Sequence, residues 1–177
     1  MPHRSVETAP REELRRVQTE RLRETVRNAY ENVPFYRERF EETGLTPADV
    51  TSIDDVSKLP FTTKEDFREE YPTGLFAVEM DDVVRVHASS GTTGKPKIVG
   101  YTRADLDVWD DAMARCLVAA GLDSGDVVQN AYGYGLFTGG LGLHQGIEAI
   151  GATVVPIGGG QTQRQVEMLE DLESDAL

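Results

Sequence analysis

The sequence predicts an α/β fold: a helical N-terminal subdomain over residues 1–75, then part of a mixed, largely parallel sheet with flanking helices over 76–177. Three observations lead there. Apolar residues recur at helical spacing through the first third of the chain. After Met80, β-branched runs alternate with helical stretches. Between two of those runs lies a Gly/Ser/Thr loop.

In the helical part, Leu14, Val17, Leu22, Val26, Ala29 and Tyr30 recur among Arg and Glu, which predicts an amphipathic helix over 10–32. Pro34 behind Asn32 and Val33 is a first-turn proline, and it opens a second helix that Gly44 ends as a left-handed cap. Thr62 and Glu65 form a T-x-x-E capping box for a short third helix ending before Pro72.

In the α/β part, Val83–Ala88 and Ile98–Tyr101 read as strands. Thr102 with Asp105 caps a helix running to Ala120, which Gly121 ends. Val127–Ala131 reads as a strand, Thr138–Ile150 as a small-residue helix and Ala152–Ile157 as another strand. Gln161–Leu172 follows as a helix, and Asp175–Leu177 starts a further strand. Strands alternating with helices call for parallel pairs.

The 177 residues suffice for a buried core, and 39% hydrophobic with 28% charged residues is the balance of a globular chain. No apolar run approaches the ~20 residues of a membrane helix. The N-terminus lacks the apolar segment of a secretory signal, so the expected compartment is the cytoplasm. Cys116 is the single cysteine, which excludes an internal disulfide and a cysteine zinc site. The net charge of −13 opposes binding to nucleic acid or anionic membranes.

Charge placement is more informative. From Val83 to Ala104 there is no acidic residue, yet Arg85, Lys95, Lys97 and Arg103 fall there. Buried strands explain missing acids but not added cations. A polyanionic ligand explains both, since phosphate oxygens need N–H, hydroxyl and cationic donors free of competing carboxylates. The loop itself is Ser89-Ser90-Gly91-Thr92-Thr93-Gly94-Lys95-Pro96-Lys97. It is not a Walker A loop: Ser89 stands where that motif needs glycine, and Pro96 where it needs Ser or Thr. Its hydroxyls, glycines and lysines can wrap the β- and γ-phosphates of ATP. A second interval, Val127–Gln163, carries Glu148 as its one formal charge, with Tyr132, Tyr134, Phe137 and many glycines. Aromatics beside glycines after a strand suggest a cleft for a flat apolar ligand.

The string SSGTTGKPK resembles the phosphate-loop signature of the adenylate-forming acyl-CoA synthetases. HASSGTTGKPKIVGYT (87–102), AYGYGLFTGGLG (131–142), GGGQTQRQV (158–166), NVPFYRERF (32–40) and LPFTTKEDFREEYPTGLFAV (59–78) resemble phenylacetate–CoA ligases specifically. The resemblance covers essentially the whole chain. It implies an enzyme that binds ATP and Mg²⁺, activates phenylacetate as an acyl-adenylate, and transfers the acyl group to coenzyme A. It assigns Ser89, Ser90, Gly91, Thr92, Thr93, Gly94 and Lys95 to the ATP phosphates. Tyr132 and Phe137 match aromatic positions that wall the aryl-acid pocket, with Gly139 and Gly140 leaving room beside them. Residues 76–177 become part of an AMP-binding subdomain.

The resemblance also implies that adenine, ribose and Mg²⁺ groups and the mobile domain with the catalytic lysine are not in this chain, which offers no catalytic residue and no metal site. The expectation is an N-terminal ligase fragment, inactive alone. The alternatives are half of a split ligase, or a non-catalytic nucleotide-binding or interaction module. Exposed pocket aromatics would then favour a homodimer or a complementary C-terminal ligase chain.

Bland roles are expected for the remaining residues. Cys116, with Met113 and Leu117, reads as a buried small hydrophobe, and Trp109 as helix–sheet packing. Tyr134 and His144 read as packing, His87 as a hydrogen-bonded structural residue, Glu148 as a helix-surface charge, and His3 as part of the terminus.

Overall fold

The computed structural model describes residue 6 and residues 8–89 and 96–177. The chain divides between Asp81 and Asp82 into two compact units.

The first unit is helical. Helix α1, Arg11–Asn32, starts after Pro10 with Glu12 and Glu13 in its first turn, where carboxylates complement the exposed N–H groups. Pro34 opens α2, Pro34–Glu42, and Gly44 ends it at φ +68°, a conformation that costs glycine nothing. Val26, Phe40 and Val50 form the core, with Leu22, Tyr30, Tyr36, Leu45 and Leu59 packed around it. Two short 3-10 helices follow, Pro47–Asp49 and Ile53–Lys58, each with a capping box, Thr46/Asp49 and Ser52/Asp55.

The short helix α3, Asp66–Glu69, departs from expectation in its cap. The pair is Thr63 and Asp66, not Thr62 and Glu65. Asp66 is buried and accepts hydrogen bonds from the Thr63 amide (2.6 Å), the Thr63 hydroxyl (2.8 Å) and Arg39 (2.8 Å). The Thr62 hydroxyl instead donates to Tyr36 Oη (3.1 Å). Contacts from α2 therefore choose between two overlapping local signals.

The second unit holds both sheets. Strands β1, Arg85–Ala88, and β2, Ile98–Tyr101, pair antiparallel with Ala88 opposite Ile98. The two strands thus form a hairpin, and the Gly/Ser/Thr segment is the sequence that connects them. Strand β1 is shorter than the apolar run that suggested it, although Val84 N–H still bonds Tyr101 O. Helix α4, Arg103–Ala119, carries the predicted Thr102/Asp105 capping box, and Gly121 follows it at φ +101°. Strand β3, Val127–Gln129, pairs parallel with β4, Thr153–Val155, and α5, Gly139–Ala149, makes the crossover. Ala176 forms a parallel bridge to Val128 on the other side of β3, where a further strand was expected to begin. Helix α6, Thr162–Asp171, completes the unit.

The core of this unit is Ala114, Leu117, Val128, Ile147, Ile150 and Ala152. Gly142 and Gly146 let α5 lie against α4: a Cβ on Gly142 would meet the Trp109 ring, and one on Gly146 would lie 2.6 Å from Met113 Cβ. Trp109 is the packing residue expected. Cys116 is not; it is exposed, because the buried face of α4 runs through Leu106, Ala114 and Leu117.

Candidate functional site

The loop joining β3 to α5 leaves the carboxyl end of a parallel strand, the position where open α/β sheets bind ligands. Asn130 follows β3 directly and is fully buried. Its backbone N–H bonds Val155 O (2.9 Å) and its carbonyl accepts from Gly158 N (3.0 Å), so β4 and the turn after it hold it. Its Nδ2 donates to Gly140 O and to Tyr134 Oη, both at 2.8 Å, while its Oδ1 accepts from the Tyr132 amide (3.1 Å).

From Tyr134 the contacts continue along α5. Tyr134 Oη lies 3.1 Å from His144 Nδ1, and His144 Nε2 lies 3.4 Å from Glu148 Oε1. Burial raises the Tyr134 phenol above its ordinary value; the Asn130 hydrogen bond opposes this, and the Glu148 charge adds to it. Glu148 is a helix-surface charge, as expected, with His144 as its partner.

Farther along the loop, one carbonyl joins it to the hairpin. Leu136 O accepts from the Ala88 amide (2.8 Å) and from His87 Nδ1 (2.9 Å), which fixes the proton of that buried imidazole on Nδ1. His87 also packs edge-on against Tyr101 and Trp109. At the hairpin neck, Ser89 N–H bonds Lys97 O, and Lys97 N–H bonds Ser89 Oγ, each at 3.1 Å. The end of β1 that leads into the Gly/Ser/Thr loop is therefore tied to the loop that carries Tyr132 and Phe137.

Of the phosphate-binding residues expected from sequence, Ser89 sits at this neck and is exposed; Ser90, Gly91, Thr92, Thr93, Gly94 and Lys95 lie outside the described residues. Tyr132 and Phe137 come together, their rings stacked at 6.4 Å and 24°, and each is 51% exposed. Gly139 lies under the Tyr132 ring, and Gly140 lies against the Gly133 carbonyl. Tyr132, Phe137 and Gly139 are thus brought together, while Gly140 is buried against the backbone of Gly133 and Tyr134. Sequence reasoning passed over Asn130 and the Leu136 carbonyl. A polar residue near the carboxyl end of the predicted strand Val127–Ala131 was the available signal for Asn130.

No family model matches the chain. Similar sequences are phenylacetate–CoA ligases: 54% identical in Aromatoleum evansii, 54% in Thermus thermophilus and 52% in Escherichia coli, each over 172 residues. These alignments cover 97% of this chain and 39% of the relative, so the chain spans about two-fifths of the length of the curated relatives it matches. Among solved structures, a 2-hydroxyisobutyryl-CoA ligase in complex with 2-HIB-AMP and CoA, in the thioesterification state, superposes with a TM-score of 0.88 at 32% identity, over 94% of this chain and 37% of that one. An open conformation of a 2-hydroxyisobutyryl-CoA ligase, also with 2-HIB-AMP and CoA, gives 0.86 at 30% identity, over 94% and 40%.

Proposed function

We propose that this chain, by its sequence the N-terminal portion of a phenylacetate–CoA ligase family member, supplies the phosphate-binding and aryl-acid-binding parts of a ligase that joins phenylacetate to coenzyme A. In that reaction a carboxylate oxygen attacks the α-phosphorus of ATP. The new P–O bond forms as the α–β bridge breaks, and diphosphate leaves. The sulfur of CoA then attacks the acyl carbon, the C–S bond forms, and AMP departs with the bonding electrons.

The residues of this chain bind and orient. Ser89, Ser90, Gly91, Thr92, Thr93, Gly94 and Lys95 hold the β- and γ-phosphates with hydroxyl, amide and ammonium donors. Tyr132 and Phe137 wall the acid's ring, with Gly139 and Gly140 beside them. No residue of this chain is assigned a catalytic step. Mg²⁺ would accompany ATP and neutralise its phosphates. Among the described residues no cluster of three His, Cys, Asp or Glu side chains is placed to hold a metal ion, and no step is routed through it. A cytoplasmic setting fits ATP and CoA as substrates, and among the described residues no helix is long and apolar enough to cross a membrane.

One observation carries the reading. The Leu136 carbonyl takes hydrogen bonds from both His87 and Ala88, which ties the loop bearing Tyr132 and Phe137 to the end of β1 and supports a reading in which acid and phosphates are bound side by side. A carboxylate must meet the α-phosphorus, so the two sites have to adjoin.

The test is a crossed pair of variants in the full-length ligase that carries this segment. Lys95→Ala removes a charge-assisted contact and should raise the KM for ATP about tenfold or more while sparing that for phenylacetate. Phe137→Ala should raise the KM for phenylacetate about tenfold and spare that for ATP. Uncrossed or absent effects would refute the assignment.

A further inference from the structure

We propose that Asn130 is the positioning residue of the aryl-acid pocket, its buried carboxamide fixing the backbone of Tyr132, the ring of Tyr134 and the first turn of α5 in one arrangement. The inference rests on the ligase reading above and assigns a role that reading does not contain.

The pocket aromatics do not locate themselves. Tyr132 and Phe137 are each half-exposed, and their stacking on each other would survive a movement of the whole loop. Their placement is set by the backbone, and the backbone from 131 to 140 is fixed at few points. Leu136 O is one, held by β1. Asn130 supplies two more at once, the Tyr132 amide on Oδ1 and Gly140 O on Nδ2, and its second Nδ2 proton holds the Tyr134 side chain through Oη.

The side-chain chemistry is specific to a carboxamide. Nδ2 has two protons, and both are used, on acceptors from different parts of the loop. An aspartate keeps the size and the acceptor but has no proton to give. It would set a buried negative charge against the Gly140 carbonyl. A leucine would keep the volume and lose all three bonds. Asn130 can act as a fixed post because its own backbone is bonded on both sides, to Val155 and Gly158. Tyr134 carries the restraint onward: its hydroxyl accepts from Asn130 and is hydrogen-bonded to His144 Nδ1, so the ring bridges the end of β3 and the middle of α5.

The positioning role predicts a split between the two substrates. ATP is held by the hairpin loop, whose neck at Ser89 and Lys97 does not involve Asn130. Loss of the carboxamide donors should therefore loosen the acid site and leave the nucleotide site nearly as it was.

The experiment uses the full-length ligase carrying this segment, with active sites titrated so that misfolded enzyme does not count. Asn130→Asp is expected to raise the KM for phenylacetate about tenfold, with the KM for ATP within twofold of wild type. Tyr134→Phe keeps the ring and removes the hydroxyl's two contacts, to Asn130 and to His144, at a partly exposed position. It is expected to raise the phenylacetate KM about threefold, again without an ATP effect. Should Asn130→Asp fail to fold, Tyr134→Phe decides alone. The positioning role is overturned if the phenylacetate KM stays within twofold in every folded variant, or if both KM values rise by the same factor. Wild-type enzyme that shows no phenylacetate-dependent ATP–diphosphate exchange would instead overturn the ligase reading, and the positioning role with it.

Discussion

Gly139 and Gly140 are neighbours in sequence at the start of α5, and replacing each with alanine should give opposite results. A Cβ on Gly139 would meet the Tyr132 ring, with Cδ1 at 2.7 Å and Cζ at 2.9 Å. Ordinary carbon contacts lie near 3.5–4.0 Å, so the ring must withdraw by roughly 1 Å. Tyr132 is half-exposed, so the ring can yield toward solvent and stability should change by no more than about 0.5 kcal/mol. The displaced ring, however, is a wall of the proposed acid pocket. A shift of this size can cost about 100-fold in a reaction that depends on placement, so kcat/KM for phenylacetate should fall between about 10- and 100-fold. A Cβ on Gly140 meets only backbone: the Gly133 carbonyl, with its carbon at 2.9 Å, and Tyr134 Cα at 3.2 Å. No side chain can swing aside. Overpacking costs about 1–3 kcal/mol, and disturbing the buried bond from Asn130 to Gly140 O about 1–3 more. Alanine's better helix propensity returns at most ~1. The net loss is about 1–5 kcal/mol. Urea unfolding followed by circular dichroism measures the stabilities, and acid kinetics in the full-length ligase measure the pocket. A Gly140→Ala protein as stable as wild type, or a Gly139→Ala ligase with unchanged phenylacetate kinetics, would refute the placement of the loop against α5.

The 177-residue chain tested by itself should show no phenylacetate-dependent ATP–diphosphate exchange, because holding phosphates alone does not bring a carboxylate to the α-phosphorus. With Tyr132, Leu136 and Phe137 all more than half exposed, it should also self-associate; a monodisperse monomer in light scattering would contradict this. Stability of the helical unit should fall in acid. The Asp55 carboxyl lies well below its ordinary value through Lys58 and the Thr51 and Ser52 amides, and the Asp66 carboxyl is lowered by Thr63 and Arg39. Their contribution is present above the unfolded value of ~3.9 and is lost as pH falls through the lower folded values, so Asp55→Asn should flatten the dependence of the urea midpoint below about pH 4. Parallel curves for wild type and variant would count against it.

Where a structural decision is local, the sequence displays it. Pro34, Gly44, the Thr102/Asp105 box and Gly121 each set a helix end through atoms within a few residues, and each acts as read. The third cap shows where this stops. TTKED contains T-x-x-E and T-x-x-D one residue apart, and the choice falls to Arg39 and Tyr36 on α2. The antiparallel pairing of β1 and β2 was within reach. Parallel strands need a crossover of a dozen or more residues, and only Ser89–Lys97 separate these two. Cys116 could also have been placed, since it lies off the face shared by Leu106, Ala114 and Leu117.

The site divides along the same line. Its proposed phosphate loop and aromatic wall are side-chain chemistry, which composition and motif expose. Its assembly is not. His87 reaches a partner 49 residues away, and what it reaches is the main-chain carbonyl of Leu136. Every residue has a carbonyl, so the identity of Leu136 carries no trace of the role. Asn130 is the converse: its carboxamide is specific, but two of its three side-chain bonds end on main-chain atoms, the Tyr132 amide and the Gly140 carbonyl. The bond to Tyr134 pairs two side chains, and even there the sequence shows an asparagine and a tyrosine four apart, a common spacing with many uses. Groups that touch a ligand must have particular side chains and so leave motifs. Groups that place them can work through the main chain, and only the folded geometry reveals them.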